Sequence, residues 1–288
     1  MIYLDEFRFL DSDDEWDYFR DMENEMSYDS LYPFQMFPNM EWSDVIFDAV
    51  TIFYGGNGSG KSTALNLIAE KLHLARESSY NHSALFDDYV DRCDASVLHR
   101  LPSGSRIITS DDVFDYMFGV RNFNEGVDRR RDELFQEYAS YSNTPLRLHS
   151  MDDYETFKKG MKARRSTRTE YVRQRVTNNI RTRSNGESAL QYFQHQIRSD
   201  ALYLLDEPEN SLSAEKQILL AEFLEQSARF YGCQLVIATH SPFLLAMKGA
   251  RIYDLDTVPV DTAAWTELPN VRMYYDFFQK HREEFEED

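Results

Sequence analysis

The chain has 288 residues, of which 42% are hydrophobic and 14% aromatic, enough apolar material for a substantial core; this excludes a wholly disordered protein. Its net charge of −19 excludes a surface that is basic throughout, so any contact with a polyanion must be local. Only Cys93 and Cys233 are present, far apart and without metal-ligand spacing, which excludes a disulfide framework or a zinc site and leaves two buried free thiols.

The opening Met1-Ile2-Tyr3-Leu4-Asp5-Glu6 lacks the basic start and apolar stretch of a signal peptide. No apolar run approaches the roughly 18 residues that cross a bilayer, so a cytoplasmic protein without membrane insertion is expected. Ile2 to Leu10 predicts a first strand, and Val45 to Tyr54 one or two more, ending in the β-branched and aromatic run Val50-Thr51-Ile52-Phe53-Tyr54. Charge is arranged in blocks. Residues 1–50 carry 14 Asp or Glu against Arg8 and Arg20, a net −12.

A glycine-rich turn follows the second strand run. Gly55-Gly56-Asn57-Gly58-Ser59-Gly60-Lys61-Ser62 matches G-x-x-x-x-G-K-[ST] in full, between a predicted strand and a predicted helix running from Ser62 to about Arg76. Glycines permit the backbone angles that aim successive N–H groups at a phosphate, and the helix start adds its positive end. Lys61 is then expected to reach the β- and γ-phosphates, Ser62 to hold Mg²⁺ through its hydroxyl, and Thr63 to complete the phosphate-binding set.

Ile107 to Thr109 predicts a short strand. From about Asp111 to Thr182 the pattern is irregular and charged, with helical stretches such as Val127–Tyr141 and Lys158–Gln174. Residues 158–183 carry ten Lys or Arg against the single Glu170, a net +9. Arg164, Arg165, Arg168, Arg173 and Arg175 are therefore candidate contacts to a polyanion; the alternative is that they pair with acidic residues of the chain itself. Strand character returns at Ala201–Leu205 and Gln234–Thr239, around a helix from an N-capping Ser213 to a terminating Gly232. Strands separated by helices imply an α/β fold with a mainly parallel sheet, here with a mostly helical insertion. The first of these strands ends in Asp206-Glu207, which puts two carboxylates at the sheet's carboxyl edge: Asp206 suits Mg²⁺, and Glu207 suits general-base activation of water.

These residues resemble the ATP-binding-cassette (ABC) branch of the P-loop NTPases. Ser184-Asn185-Gly186-Glu187 is similar to that family's signature motif in its Glu form, Glu209-Asn210-Ser211-Leu212-Ser213 to the loop after the acidic pair, and Thr239-His240-Ser241-Pro242 to its switch histidine. More narrowly, Tyr32-Pro33-Phe34 and Leu202 to Glu209 resemble small stand-alone bacterial predicted ATPases. The resemblance implies one ABC-type ATPase domain over 1–288, with a core lobe at about 1–110 and 200–288 and a signature lobe at about 111–199. It implies ATP and Mg²⁺ as ligands, Glu207 and His240 in catalysis, and a head-to-tail homodimer in which Ser184, Asn185, Gly186 and Glu187 face the partner's ATP. What such a dimer drives is left as DNA or a co-encoded effector protein, with a membrane-permease subunit or an ATP-gated module of a defence system as alternatives. The pattern departs from the family in one place. A Gln is expected after the strand Ile107–Thr109, and Ser110 or Asp111 stands there instead. Trp42 and Phe47 are among the candidates for stacking on adenine.

Overall fold

The computed structural model describes residues 1–21, 30–143, 154–177 and 185–286. They form an α/β fold built on a mainly parallel sheet. Two compact units are distinguished, one made of Met1–Val113 with Asn185–Asp288, the other of Phe114–Ser184.

In the first unit, β1 (Leu4–Arg8) leads into α1 (Ser12–Asp21) and, after residues outside the description, the short α2 (Met36–Asn39). Then come β2 (Asp44–Ile46), β3 (Val50–Tyr54), α3 (Lys61–Lys71), α4 (Phe86–Arg92), β4 (Asp94–Val97) and β5 (Arg106–Thr109). The chain leaves this unit within α5 (Ser110–Asn143), and the second unit adds α6 (Tyr154–Arg165) and α7 (Arg168–Arg173). The first unit resumes with α8 (Asn185–Gln196), β6 (Leu202–Asp206), α9 (Ala214–Phe230), β7 (Gln234–Thr239), α10 (Pro242–Leu245), β8 (Arg251–Asp254), β9 (Asp261–Thr262), α11 (Pro269–Lys280) and α12 (Glu283–Glu286).

The main sheet has the order β5-β6-β7-β3-β8-β9, and every pair is parallel except β8 with β9. Its inner strands β3 and β7 are mostly apolar and buried at every residue, because a parallel strand is covered on both faces. A smaller antiparallel sheet, β2-β1-β4, makes the second layer. The predicted Val45–Tyr54 strand run is thus two strands in two different sheets. Between the sheets Phe7, Phe9, Phe37, Trp42 and Phe53 share one core, with Phe9 stacked on Phe37 at 4.0 Å between ring centroids. Gln234, fully buried at the start of β7, staples the layers. Its Oε1 accepts from the N–H groups of Tyr3 and Leu4 at 2.7 and 2.8 Å, while its Nε2 donates to the carbonyl of Leu4.

Several elements differ in extent from the sequence reading. The helix after the glycine-rich turn ends at Lys71 instead of near Arg76, and Asn66 Oδ1 takes a hydrogen bond from the Arg76 guanidinium. The stretch from Asp111 is not irregular at its start, since α5 runs unbroken for 34 residues through Gly119 and Gly126. The helix expected over Lys158–Gln174 is broken at Ser166-Thr167, where Thr167 and Glu170 form a reciprocal capping box that starts α7 afresh. Gly232 has φ +67° just past the end of α9, the left-handed geometry of a helix terminator, whereas Ser213 sits at the N-cap without a side-chain hydrogen bond. Cys93 and Cys233 are buried free thiols.

Candidate functional site

The register of the parallel strands decides what meets. Tyr54 of β3 pairs with Thr239 of β7, Asp206 of β6 with Ala238 of β7, and Thr109 of β5 with Asp206, so four strands end level with one another. The loops that leave those ends carry the candidate residues.

The glycine-rich loop joins β3 to α3. Gly60, the residue before the helix, has φ +88°, and Gly58 has φ +82°; a side chain at either would be strained. Lys61 is 3% exposed, and its Nζ donates to the carbonyls of Gly55 and Gly56, both at 2.8 Å, and to Ser59 Oγ at 3.4 Å. The ammonium is therefore folded back under the loop and fully supplied with acceptors. The Gly56 N–H donates to both carboxylate oxygens of Asp256 at 2.9 and 3.0 Å, which anchors the start of the loop to the turn after β8.

Ser62 Oγ donates to Asp206 Oδ1 at 3.0 Å. Burial pushes the Asp206 carboxyl up to about 6, with the Ser62 hydrogen bond pulling the other way. A half-buried carboxylate beside a hydroxyl is an oxygen donor pair of the kind Mg²⁺ takes from a protein when phosphates supply further ligands, so the residues present fit that ion. No cluster of three His, Cys, Asp or Glu able to hold a metal occurs among the described residues. Glu207 leaves the strand with φ +47°, its N–H bound to the Ala238 carbonyl at 2.9 Å and its Oε2 held by Asn210 Nδ2 at 3.0 Å. Non-glycine residues at positive φ are rare and cluster at functional sites.

A cavity of about 500 Å³ opens over the loop. Asn57 through Thr63 and Glu207 line it, together with Tyr32, Met36 and Asn81. Met36 and Asn81 were not legible in the sequence, because each lies in a short or irregular segment with no period and no motif, and Tyr32 carried a resemblance there without a place in the site. Tyr32 is placed by a hydrogen bond from its hydroxyl to Thr63 Oγ1 at 3.1 Å, and Met36 Sδ sits against Gly60. Trp42 and Phe47 are 3% and 1% exposed inside the core and cannot stack on a base. Ser110 and Asp111 begin α5 and are not among the residues lining the cavity. Their neighbour Asp112, 4% exposed, turns back to accept from the Thr109 N–H at 2.7 Å.

His240 follows β7. Its N–H donates to Glu209 Oε1 at 3.0 Å, and its Nδ1 lies 3.4 Å from the same oxygen. His240 is not among the residues lining the 500 Å³ cavity. Asn185, Gly186 and Glu187 form the first turn of α8, where Gly186 lies against the Ser211 carbonyl and the Lys216 side chain, and they too are absent from that lining. Ser184 and the side chain of Arg164 lie outside the described residues. Of the other candidate polyanion contacts, Arg165 and Arg173 are exposed, while Arg168 stacks over Phe135 at 4.3 Å and Arg175 over Tyr171 at 3.7 Å, the latter also donating to the Tyr171 carbonyl.

Residues 70–246, more than half of the chain, match the family model described as "AAA domain, putative AbiEii toxin, Type IV TA system". The chain belongs to this AAA family. The matched stretch takes in the acidic pair and His240, while the glycine-rich loop lies just ahead of it. An uncharacterized ABC transporter ATP-binding protein/permease of Saccharomyces cerevisiae is 27% identical over 201 residues, 67% of this chain. The chain spans only 14% of that relative's length. Among solved structures, the Smc head domain of Pyrococcus furiosus bound to the C-terminal domain of ScpA is 12% identical, with a TM-score of 0.37 over 83% of this chain and 95% of that one. The SMC head domain of Thermotoga maritima is 11% identical, with a TM-score of 0.37 over 91% and 99%. Among the described residues of this AAA domain, no helix is long and apolar enough to cross a membrane.

Proposed function

We propose that the chain binds Mg-ATP over the Gly55–Ser62 loop and hydrolyses it. The observation that carries this reading is the meeting of Lys61, Ser62 and Glu207 around one cavity beside level strand ends, with Asp206 hydrogen-bonded to Ser62. The loop N–H groups and the start of α3 receive the β-phosphate, and Lys61 exchanges its carbonyl acceptors for the β- and γ-phosphate oxygens. Ser62 and Asp206 hold Mg²⁺, which when bound neutralises charge that develops on the phosphates. Glu207, fixed by Asn210, takes the proton of the attacking water. Glu209 holds the backbone of His240, which keeps that side chain at the end of β7 for a transition-state contact.

The signature residues Asn185, Gly186 and Glu187, with Ser184 before them, supply the second half of the site from another copy, giving a head-to-tail homodimer. Their place at the first turn of α8, outside the lining of their own cavity, supports that reading. Hydrolysis then changes the state of a partner, DNA or a co-encoded effector protein. The toxin–antitoxin description of the matched family favours an ATP-gated module of a defence system over a permease subunit. The test is phosphate release from Mg-ATP together with solution mass. Wild type should turn over, and Glu207→Gln should bind ATP, fail to release phosphate and double its mass with Mg-ATP. Turnover by Glu207→Gln at the wild-type rate removes Glu207 from the base role, and an unchanged mass removes the homodimer.

A further inference from the structure

A second cavity, of about 800 Å³, lies within the first unit between the end of β7 and helix α11. Its wall is aromatic: Phe243, Trp265, Tyr274, Tyr275 and Phe278, which are between 36% and 54% exposed. At its edge is Glu209, 5% exposed. One of its oxygens is saturated, Oε1 accepting from Thr239 Oγ1 at 2.6 Å and from the His240 N–H at 3.0 Å. The other, Oε2, is buried and has no hydrogen-bond partner among the described residues. His240 Nδ1, also in the lining, is likewise buried without a hydrogen-bond partner among the described residues and lies 3.4 Å from Glu209 Oε1, whereas Gln217 and Arg272 are engaged. Gln217 binds Ser241 Oγ and the Leu212 carbonyl, while Arg272 pairs with Asp276 and lies over Tyr275. An unpaired carboxylate oxygen in an apolar surround carries a desolvation penalty that a cationic N–H donor removes.

The apolar surface does not stop at the cavity. Val271 is the sole residue of α11 that is buried, while Met273 and Phe277 are 70% and 56% exposed and Phe285 beyond it is 72% exposed. A small molecule filling the cavity would leave that face in water, and contiguous exposed aromatics of this kind mark protein interaction sites.

We propose that this face is the docking site of a protein partner through a basic segment: an Arg or Lys side chain enters the cavity to meet Glu209 Oε2, and apolar residues beside it lie along α11. The negative balance of the chain, −19, suits a basic partner. Because Glu209 also holds Thr239 and the His240 N–H, an occupant reaches the end of β7 directly; that this couples docking to hydrolysis rests on the function proposed above, whereas docking itself does not.

The experiment uses the full chain without nucleotide. Peptides are selected from a displayed random library, synthesised, and titrated by calorimetry against wild type, Phe278→Asp, Tyr275→Ala and Glu209→Gln, with thermal melts to verify folding. Enrichment of Arg or Lys flanked by aromatic or aliphatic residues is expected, with binding at least tenfold weaker in Phe278→Asp and in Glu209→Gln. Replacing the basic residue of a selected peptide by Glu should abolish binding. No enrichment, an acidic consensus, or equal affinity for wild type and the folded Phe278→Asp and Tyr275→Ala proteins overturns the proposal. So does benzamidine binding as tightly as the peptides, which would make the cavity a small-molecule site. Peptide binding retained in a Lys61→Ala protein that has lost nucleotide separates this site from the ATP reading.

Discussion

Two cavities open near the carboxyl ends of the same parallel strands, and they have opposite internal chemistry. Over the glycine-rich loop each charged group is held by neutral partners: Lys61 has three acceptors, Asp206 has Ser62, Glu207 has Asn210, and Asp256 has the Gly56 N–H. Beside α11 the walls are aromatic and one carboxylate oxygen of Glu209 is left over. The contrast shows two ways in which a folded chain waits for a ligand. Where charged groups have neutral hydrogen-bond partners they can exchange them on binding, whereas an unpaired buried carboxylate oxygen has nothing to exchange and makes a standing demand for a donor.

The comparison breaks first at Glu207. Glu207→Gln should slow ATP hydrolysis by about 10²–10⁴-fold in single-turnover assays, the range for loss of a general base, while nucleotide affinity stays within a few-fold of wild type. An equal loss of affinity would mean that Glu207 organises the cavity and does not act as a base. Lys61→Ala removes a buried charge with its partners and should cost about 2–5 kcal/mol of nucleotide binding, read by calorimetry. The peptides selected at the aromatic cavity should be indifferent to this change.

The two cavities share β7 as scaffold, and Gln234 at its start tests how far they stand or fall together. Gln234→Leu strips two buried N–H groups, those of Tyr3 and Leu4, of their acceptor. Urea denaturation should show a loss of about 2–4 kcal/mol, with both cavities weakened. A neutral result would mean that water or a shifted strand replaces the amide.

The smallest effect expected is on pH dependence at Asp206. Its carboxyl is raised by burial from 3.8 to about 6, so the folded state prefers the protonated form; this contribution to stability is fully present below about 4 and is lost as pH rises through 6. Mg²⁺ needs the ionised form. Mg²⁺-dependent nucleotide binding should therefore weaken as pH falls below about 6, by up to about tenfold per unit, and Asp206→Asn should remove that dependence. A pH-independent Mg²⁺ affinity between 5 and 7 would place the ion elsewhere. The aromatic cavity, whose carboxylate is buried Glu209, is set apart by its indifference to Mg²⁺.

What the sequence determined by itself was everything carried by contiguous residues or by a period. Gly55 to Ser62 announces its loop because glycines at positive φ, a lysine and a hydroxyl must follow one another directly. The continuous apolar runs Leu202–Leu205 and Leu235–Ala238 announce strands buried on both faces, and the Asp206-Glu207 pair follows from where one of those runs stops. Strand ends do not announce their neighbours. That Asp206 reaches Ser62 across 144 positions, that Asp256 anchors Gly56 across 200, and that Tyr32, Met36 and Asn81 complete the cavity were decided by sheet order and by the packing of loops against it. The same holds for Trp42 and Phe47, aromatic enough to pass for base-stacking residues until the packing of two sheets against each other put them in the core. Residues near in sequence interact through local backbone geometry, which composition encodes directly; residues far apart meet only after the whole core has chosen its packing, and the outward-facing aromatics of α11 became visible as a surface once that packing left them uncovered.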